Sequence, residues 1–339
     1  VNDPGIAKLG GSIYIDADNK GGVSIKGCQF DNLHSKTDGN AICIAQDAGL
    51  VTVDDCTFTD CHYNNGHSVI WDYGSDFKFI NSRIFFNDNK KSSRGIIVNS
   101  PYKVEIIGST FYNCVYNEHG CGFAYNAANK KDPNKKESII IENTVFDSCY
   151  SSTSTKGRAC ALYLNINHPA SLIEVTIQNS NPPADKFIIY IESPAALLRE
   201  QPQIFESCHF LNCTTEYTQN YAGGIGLQHD KIEDLVFNNC QFYNLRSTGF
   251  GGAVAFHKVA NNLEEYSVEF NGCKFANNSA TGGNGRGASL YFNISYQATI
   301  KDCNFTDQSL TGYGGAICID GAFEPFIFNN GFYSTQETG

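Results

Sequence analysis

Apolar and polar positions alternate along this chain in short bursts of a few residues, set apart by clusters of Gly, Asn, Asp and Ser. Between Gly251 and Asn277 the bursts are Ala253-Val254-Ala255-Phe256, Tyr266-Ser267-Val268-Glu269-Phe270 and Cys273-Lys274-Phe275-Ala276-Asn277. All are too short for helices, and a period of two carried by β-branched and aromatic side chains predicts strands. The same triplet opens the chain at Ser12–Ile15, Val23–Ile25 and Cys28–Asn32 and closes it at Ala316–Ile319, Phe326–Phe328 and Asn330–Ser334.

The third burst carries a marker, an aromatic followed two residues later by Asn, Asp or Ser. It recurs at Phe30/Asn32, Phe58/Asp60, Phe85/Asn87, Phe111/Asn113, Phe146/Ser148, Phe210/Asn212, Phe242/Asn244, Phe275/Asn277, Phe305/Asp307 and Phe332/Ser334, with Ile177/Asn179 filling the one gap. A unit of this size cannot bury its own apolar face and must stack on its neighbours. The expected fold is therefore all-β, a right-handed parallel β-helix of about eleven three-strand coils. A four-stranded propeller blade would need about 40 residues and a Trp-Asp signature, whereas the chain holds one Trp. Residues 1–339 read as a single domain. It is irregular around 181–203, where Pro182, Pro183, Pro194 and Pro202 crowd together, and a lysine-rich loop is expected from Asn126 to Glu137.

Period two assigns faces. In Cys-x-Phe-x-Asn all three named residues point one way, and the Phe makes that way inward. The amides of Asn32, Asn87, Asn113, Asn179, Asn212, Asn244 and Asn277 are thus expected inside, as an asparagine ladder closing a bend, because a buried amide without partners costs a few kcal/mol. Asp60, Ser148, Asp307 and Ser334 substitute in the same column. In the first strand the inward pairs are Ile13/Ile15, Ile42/Ile44, Val69/Trp71, Leu162/Leu164, Ile189/Ile191, Val254/Phe256, Leu290/Phe292 and Ile317/Ile319. Tyr14, Ile70, Tyr163, Tyr190 and Tyr291 then face out, and the tyrosines form a candidate contact surface.

A net charge of −11 argues against nucleic acid, which needs a basic stripe. No apolar run reaches the length of a membrane span. The Val-Asn-Asp-Pro-Gly start and the lack of Met suggest a processed chain or a segment of a larger one. Fourteen cysteines show no paired zinc spacing. Cys28, Cys56, Cys208, Cys240, Cys273 and Cys303 stand two residues before the Phe, and Cys61, Cys114, Cys149 and Cys213 three after it. Stacked neighbours are candidate disulfides (Cys28–Cys56, Cys114–Cys149, Cys208–Cys240 and Cys273–Cys303) or else a column of small buried thiols. Sequons occur at Asn212, Asn277, Asn293 and Asn304; the first two are expected to be spared as inward ladder residues, which leaves Asn293 and Asn304 as candidate glycosylation sites.

Gly251-Gly252-Ala253-Val254, Gly314-Gly315-Ala316-Ile317 and Phe275-Ala276-Asn277-Asn278 resemble the repeats of the chlamydial polymorphic membrane protein family, and similar repeats occur in surface proteins of some protists. The resemblance implies a β-helical, surface-exposed passenger of adhesin type, which in the bacterial members is usually followed by an outer-membrane barrel.

Catalysis on such a rod would need converging carboxylates. Asp54-Asp55 is the one paired Asp and is expected at a bend, while Gly66-His67-Ser68 and His119-Gly120 are incomplete versions of pectin-cleaving elements. Asp16-Ala17-Asp18-Asn19-Lys20-Gly21 resembles the start of a calcium loop, but Lys20 occupies a ligand position. His34 and His62 share a register, as do His229 and His257; two imidazoles make a poor metal site. No cofactor or metal is expected. The sequence points to a non-enzymatic extracellular or cell-surface structural or adhesin protein. Its partners would be copies of itself joined head to tail into a filament, or a larger parent chain, together with a glycan or host surface. The alternative is a pectin-lyase-like polysaccharide-binding or polysaccharide-cleaving β-helix, with the outward tyrosines stacking on sugar rings.

Overall fold

The computed structural model describes residues 11–16, 21–35, 38–62, 68–88, 92–99, 102–116, 120–126, 138–151, 159–166, 168–181, 187–192, 202–216, 225–227, 234–256, 266–282, 285–293, 296–320 and 326–333. Among these residues every regular element is a strand. Strands of successive coils pair in parallel, so the chain is a parallel β-helix. The second sheet, from Val23–Lys26 to Phe326–Phe328, and the third, from Gln29–Asp31 to Gly331–Tyr333, each contain eleven strands. Among the described residues the first sheet falls into two parts. Seven strands run from Ile13–Ile15 to Phe187–Glu192 and four more from Ile225–Leu227 to Ile317–Asp320. The break adjoins the proline-rich stretch expected to be irregular, whereas the other two sheets continue past it. Several coils add a short fourth strand, such as Val115–Tyr116 and Thr214–Thr215, that the triplet pattern does not reveal.

Stacked phenylalanines fill the core. Phe30 aligns with Phe58, Phe242 with Phe275 and Phe275 with Phe305, with near-parallel rings 4.6, 4.6 and 4.7 Å apart. Phe205, Phe237 and Phe270 form a second stack from the middle sheet, and its rings meet the first edge-on, as at Phe242–Phe270. Strand spacing of about 4.8 Å fits the offset stacking that aromatic rings favour.

Two corners shape each coil, and both require left-handed backbone. Before the third strand the corner residue is Gly27, Asp55, Asn81, Gly108, Asn143, Glu174, Ser207, Asn239, Gly272, Asp302 or Asn329, all at positive φ. After it stand Asn32, Asp60, Asn113, Ser148, Asn179, Asn212, Asn244, Asn277 and Asp307, with φ between 49° and 57°. Asn and Asp tolerate this region better than other residues with a Cβ, so these positions select them for their backbone.

That requirement overturns the inward asparagine ladder. A residue at positive φ no longer continues the strand's alternation, and the side chain turns out of the coil. Asn32, Asn179, Asn212 and Asn277 are exposed and Asn244 is half-buried; of this column Asn113 alone is buried. Asn amides still climb the corner from outside: Asn244 Nδ2 donates to Asn212 Oδ1 at 2.8 Å, and Asn277 Nδ2 to Asn244 Oδ1 at 3.3 Å. Asn87 does not belong to the column. Ile84, not Phe85, aligns with Phe58 and Phe111, which turns Phe85 outward and places Asn87 three residues beyond the core position. The other reversed parity is in the first sheet, where Ile70 and Asp72 align with Ile42 and Ile44, so that Trp71 faces out beside Cys43 and Ile70 faces in.

The inner sides of the corners are lined by small residues, polar in every coil but that of Val175. Before the third strand the column runs Cys28, Cys56, Ser82, Ser109, Thr144, Val175, Cys208, Cys240, Cys273, Cys303 and Asn330. Their thiols and hydroxyls donate to main-chain carbonyls. Cys240 Sγ lies 3.4 Å from Phe205 O in the coil below and 3.4 Å from Asn238 O in its own, and Thr144 Oγ1 repeats the pattern with Ile106 O and Glu142 O. Of the two readings of these cysteines, the structure has the column of thiols and not the candidate disulfides. Cys28, Cys56, Cys114, Cys149, Cys208, Cys240, Cys273 and Cys303 are free thiols, all but Cys28 buried. Each of these thiols answers a corner carbonyl, a task that Ser and Thr perform in neighbouring coils.

Candidate functional site

The tyrosine column does not form an open surface. Tyr163 and Tyr190 are 9% and 2% exposed and Tyr291 is 3% exposed, although each faces away from the core as the alternation predicts. Phe187 stacks on Tyr190 at 5.8 Å and Phe250 covers Tyr291 at 4.6 Å, building a second apolar cluster outside the first sheet. Arg286 lies over Phe250, pairs with Asp320, and Asp320 accepts from the Tyr291 hydroxyl at 3.4 Å. Tyr14 is half-buried. Period two gives the direction of a side chain and not what lies over it.

Open aromatic surface occurs instead on the third sheet. Phe85 and Tyr112 occupy the outward position immediately after the core residue, stack at 4.8 Å and are 37% and 36% exposed. Beside them a cleft of about 420 Å³ runs along the corner, lined by Asn87, Tyr112, Asn113, Ser148, Tyr150, Asn179 and Asn181. These residues come from four consecutive coils. Two carboxylates position the lining. Asp60 accepts from the main-chain N and Nδ2 of Asn87 at 2.8 and 2.7 Å. Asp147 accepts from Asn179 Nδ2 and Ser148 Oγ, both at 2.9 Å, and from Gln178 Nε2 at 2.8 Å. Asn113 Nδ2 is tied to Phe86 O at 3.0 Å, and Asn181 Oδ1 accepts the Thr214 N–H at 3.0 Å. Each amide spends one side on the scaffold. Asn87 and Asn179 retain their Oδ1 acceptors, Asn181 its Nδ2 donors and Tyr112 its hydroxyl.

The sequence reading missed this cleft, although two signals were present: an aromatic immediately after the core position, as in Phe111-Tyr112-Asn113, and the run Asn179-Ser180-Asn181.

Among other candidate residues, Asp54 ends a strand and pairs with Lys26 at 2.8 Å, while Asp55 holds the corner at φ 52°, so this pair sits at a bend as expected. His34 Nδ1 meets His62 O at 2.5 Å with the two rings edge to face, an arrangement of stacked coils. His67, His119, His229 and His257 lie outside the described residues, as do Asp18, Asn19 and Lys20 and most of the lysine-rich loop. Asn304 is exposed on its strand, and so are Asn212 and Asn277, which reverses their expected protection; nothing is described of the side chain of Asn293. Among the described residues no group of three or more His, Cys, Asp or Glu side chains is arranged to hold a metal ion, and no helix is long and apolar enough to cross a membrane.

Neither a protein-family model nor a curated protein matches the chain.

Proposed function

We propose that this chain is a non-enzymatic extracellular rod of adhesin type, in which the coil ladders are scaffold and the cleft at the corner after the third strand is the recognition surface. One observation carries this reading. The cleft is lined by carboxamides, a serine and two phenols, groups suited to hydrogen bonding and ring contact, and no carboxyl, imidazole or amine side chain is among the described residues that line it. The adjoining carboxylates, Asp60 and Asp147, are occupied in holding Asn87, Ser148 and Asn179, whereas glycoside cleavage needs two carboxyl groups directed at the scissile bond.

Assembly is the second part of the proposal. Phe332 stacks on Phe305 at 5.0 Å yet is 57% exposed, and Tyr333 beside it is 63% exposed. A further coil, from a longer parent chain or from another copy joined head to tail in a filament, would cover them.

The test is fluorescent chain added to animal cells before and after periodate oxidation of surface glycans. Binding that falls on oxidation and in Tyr112→Ala supports the reading. Release of reducing ends from polysaccharide by the purified chain would replace it with the polysaccharide-cleaving alternative.

A further inference from the structure

Resting on that reading, we infer that the cleft selects an uncharged, hydroxyl-rich oligomer, a neutral saccharide laid along the helix axis, and rejects acidic glycans. Length, charge and hydrogen-bond capacity lead to this ligand independently.

The lining spans the coils of Asn87, Tyr112, Ser148 and Asn179. Three steps of about 4.8 Å give a footprint of roughly 14 Å, longer than one sugar ring and suited to a short linear oligomer. The repeat of the ligand would follow the repeat of the coils.

Charge excludes anions. Among the described residues no Lys, Arg or His lines the cleft, Asp60 and Asp147 flank it, and the chain carries a net charge of −11. A sulfate or carboxylate would meet the remaining acceptors Asn87 Oδ1 and Asn179 Oδ1 with no cation among the described lining residues to offset the repulsion.

Hydrogen-bond capacity then favours hydroxyls. Within the same few ångströms the cleft offers acceptors from Asn87 and Asn179, donors from Asn181 and a group of either kind from Tyr112. A sugar hydroxyl both donates and accepts and can answer each of these in turn. The exposed ring of Tyr112, held flat by Phe85 at an interplanar angle of 14°, supplies an apolar face for the C–H side of a pyranose.

The experiment is calorimetric titration of the chain with cellohexaose, maltohexaose and mannohexaose against oligogalacturonate and a heparin hexasaccharide, at low and high salt. Expected is binding to at least one neutral oligomer, little changed by salt and weakened at least tenfold in Tyr112→Ala and in Asn181→Ala. Tyr243→Ala, which removes an aromatic 48% exposed on the same sheet but outside the cleft, should bind as wild type. Both Tyr112 and Tyr243 project from the surface, so neither variant threatens the fold, and circular dichroism checks this. Tighter binding of an acidic oligomer, lost in Tyr112→Ala, would overturn the neutral class and leave the recognition-rod reading standing. Neutral binding unaffected by Tyr112→Ala and Asn181→Ala would overturn the cleft as its site, and no binding to any oligomer would overturn the inference.

Discussion

Asn277 and Asn278 are adjacent in sequence and face opposite sides of the coil wall. Asn277 stands outside at φ 54° and donates to Asn244 Oδ1 at 3.3 Å. Asn278 is fully buried; its Oδ1 accepts Leu245 N at 2.9 Å and its Nδ2 reaches Phe242 O at 3.0 Å and Ser289 Oγ at 3.1 Å. Replacing Asn278 by Ala strands a buried donor and a buried acceptor, so a loss of about 2–4 kcal/mol in urea unfolding is expected. At Asn277 glycine should be tolerated within about 1 kcal/mol because the backbone conformation suits it. Valine there should cost about 1–2 kcal/mol.

The thiol column makes a similar prediction about chemistry. Ser82, Ser109 and Thr144 perform in their coils what Cys240 performs in its own, so Cys240→Ser should keep the fold with a change of about 1 kcal/mol. Burial pushes the Cys43 thiol up to about 12 and the Cys61 thiol up to about 11, and only the thiolate reacts readily. Of the cysteines whose side chains are described, Cys28 and Cys318 alone are half-exposed. Alkylation of the native chain followed by peptide mapping should therefore mark these two ahead of Cys43, Cys61 and the buried corner thiols Cys56, Cys208, Cys240, Cys273 and Cys303, which should be marked only after denaturation. Rapid native labelling of Cys240 would show that the column is open to solvent.

Alternation and recurrence sufficed to read the sheets, their parallel stacking and the Phe core, because those follow from period two and the need of each coil for a neighbour. Corners defeated the same reasoning. At Asn244 or Asn277 the amide occupies a position that parity assigns to the interior, but a positive φ reverses it, and nothing in a pattern of hydrophobicity registers φ. Phe85 misled for a related reason: Ile84 is the smaller and quieter residue, yet the register with Phe58 and Phe111 places it in the core. The cleft lay outside the repeat's invariant positions, on side chains such as Tyr112 and Asn181 that the repeat leaves free to vary.

Asp72 predicts an unusual dependence on pH. It aligns with Ile44 and Val98 in an inward column, its Oδ1 accepts Gly74 N and Ser75 N at 2.8 Å each, and its buried Oδ2 has no partner. Burial is the main reason its carboxyl is pushed up to about 8; the two N–H bonds oppose the shift and nearby Asp76 adds to it. A folded value above the ordinary 3.8 means that folding favours the protonated form. This contribution is complete below about pH 4 and is lost as pH rises through about 8. Thermal midpoints of the wild type should fall from pH 5 to pH 9. Asp72→Asn, which keeps the acceptor and cannot ionise, should flatten that slope and be more stable than wild type at pH 9 by roughly 1–3 kcal/mol. A parallel decline in the variant would show that other groups set the slope.

Glycosylation separates the inside and outside of the corners in a different way. Asn212 is exposed and uses only its Oδ1, which accepts from Asn244, so a glycan on Nδ2 leaves that bond intact. Asn277 is equally exposed but uses Nδ2 as the donor to Asn244, and a glycan there would replace one of that nitrogen's two hydrogens and crowd the bond. Asn304 is exposed at the start of its strand, and its side chain makes no hydrogen bond to another described residue. In a secretory eukaryotic host, Asn212 and Asn304 are expected to carry glycans in the folded, secreted chain, and Asn277 to be depleted of them. Peptide mapping after enzymatic deglycosylation, which converts each used Asn to Asp, reads the three positions separately. Occupancy at Asn277 above that at Asn212 would mean that the outer amide ladder contributes too little to the corner for its donor to matter, and the cost expected for Asn277 variants would then reside in the backbone alone.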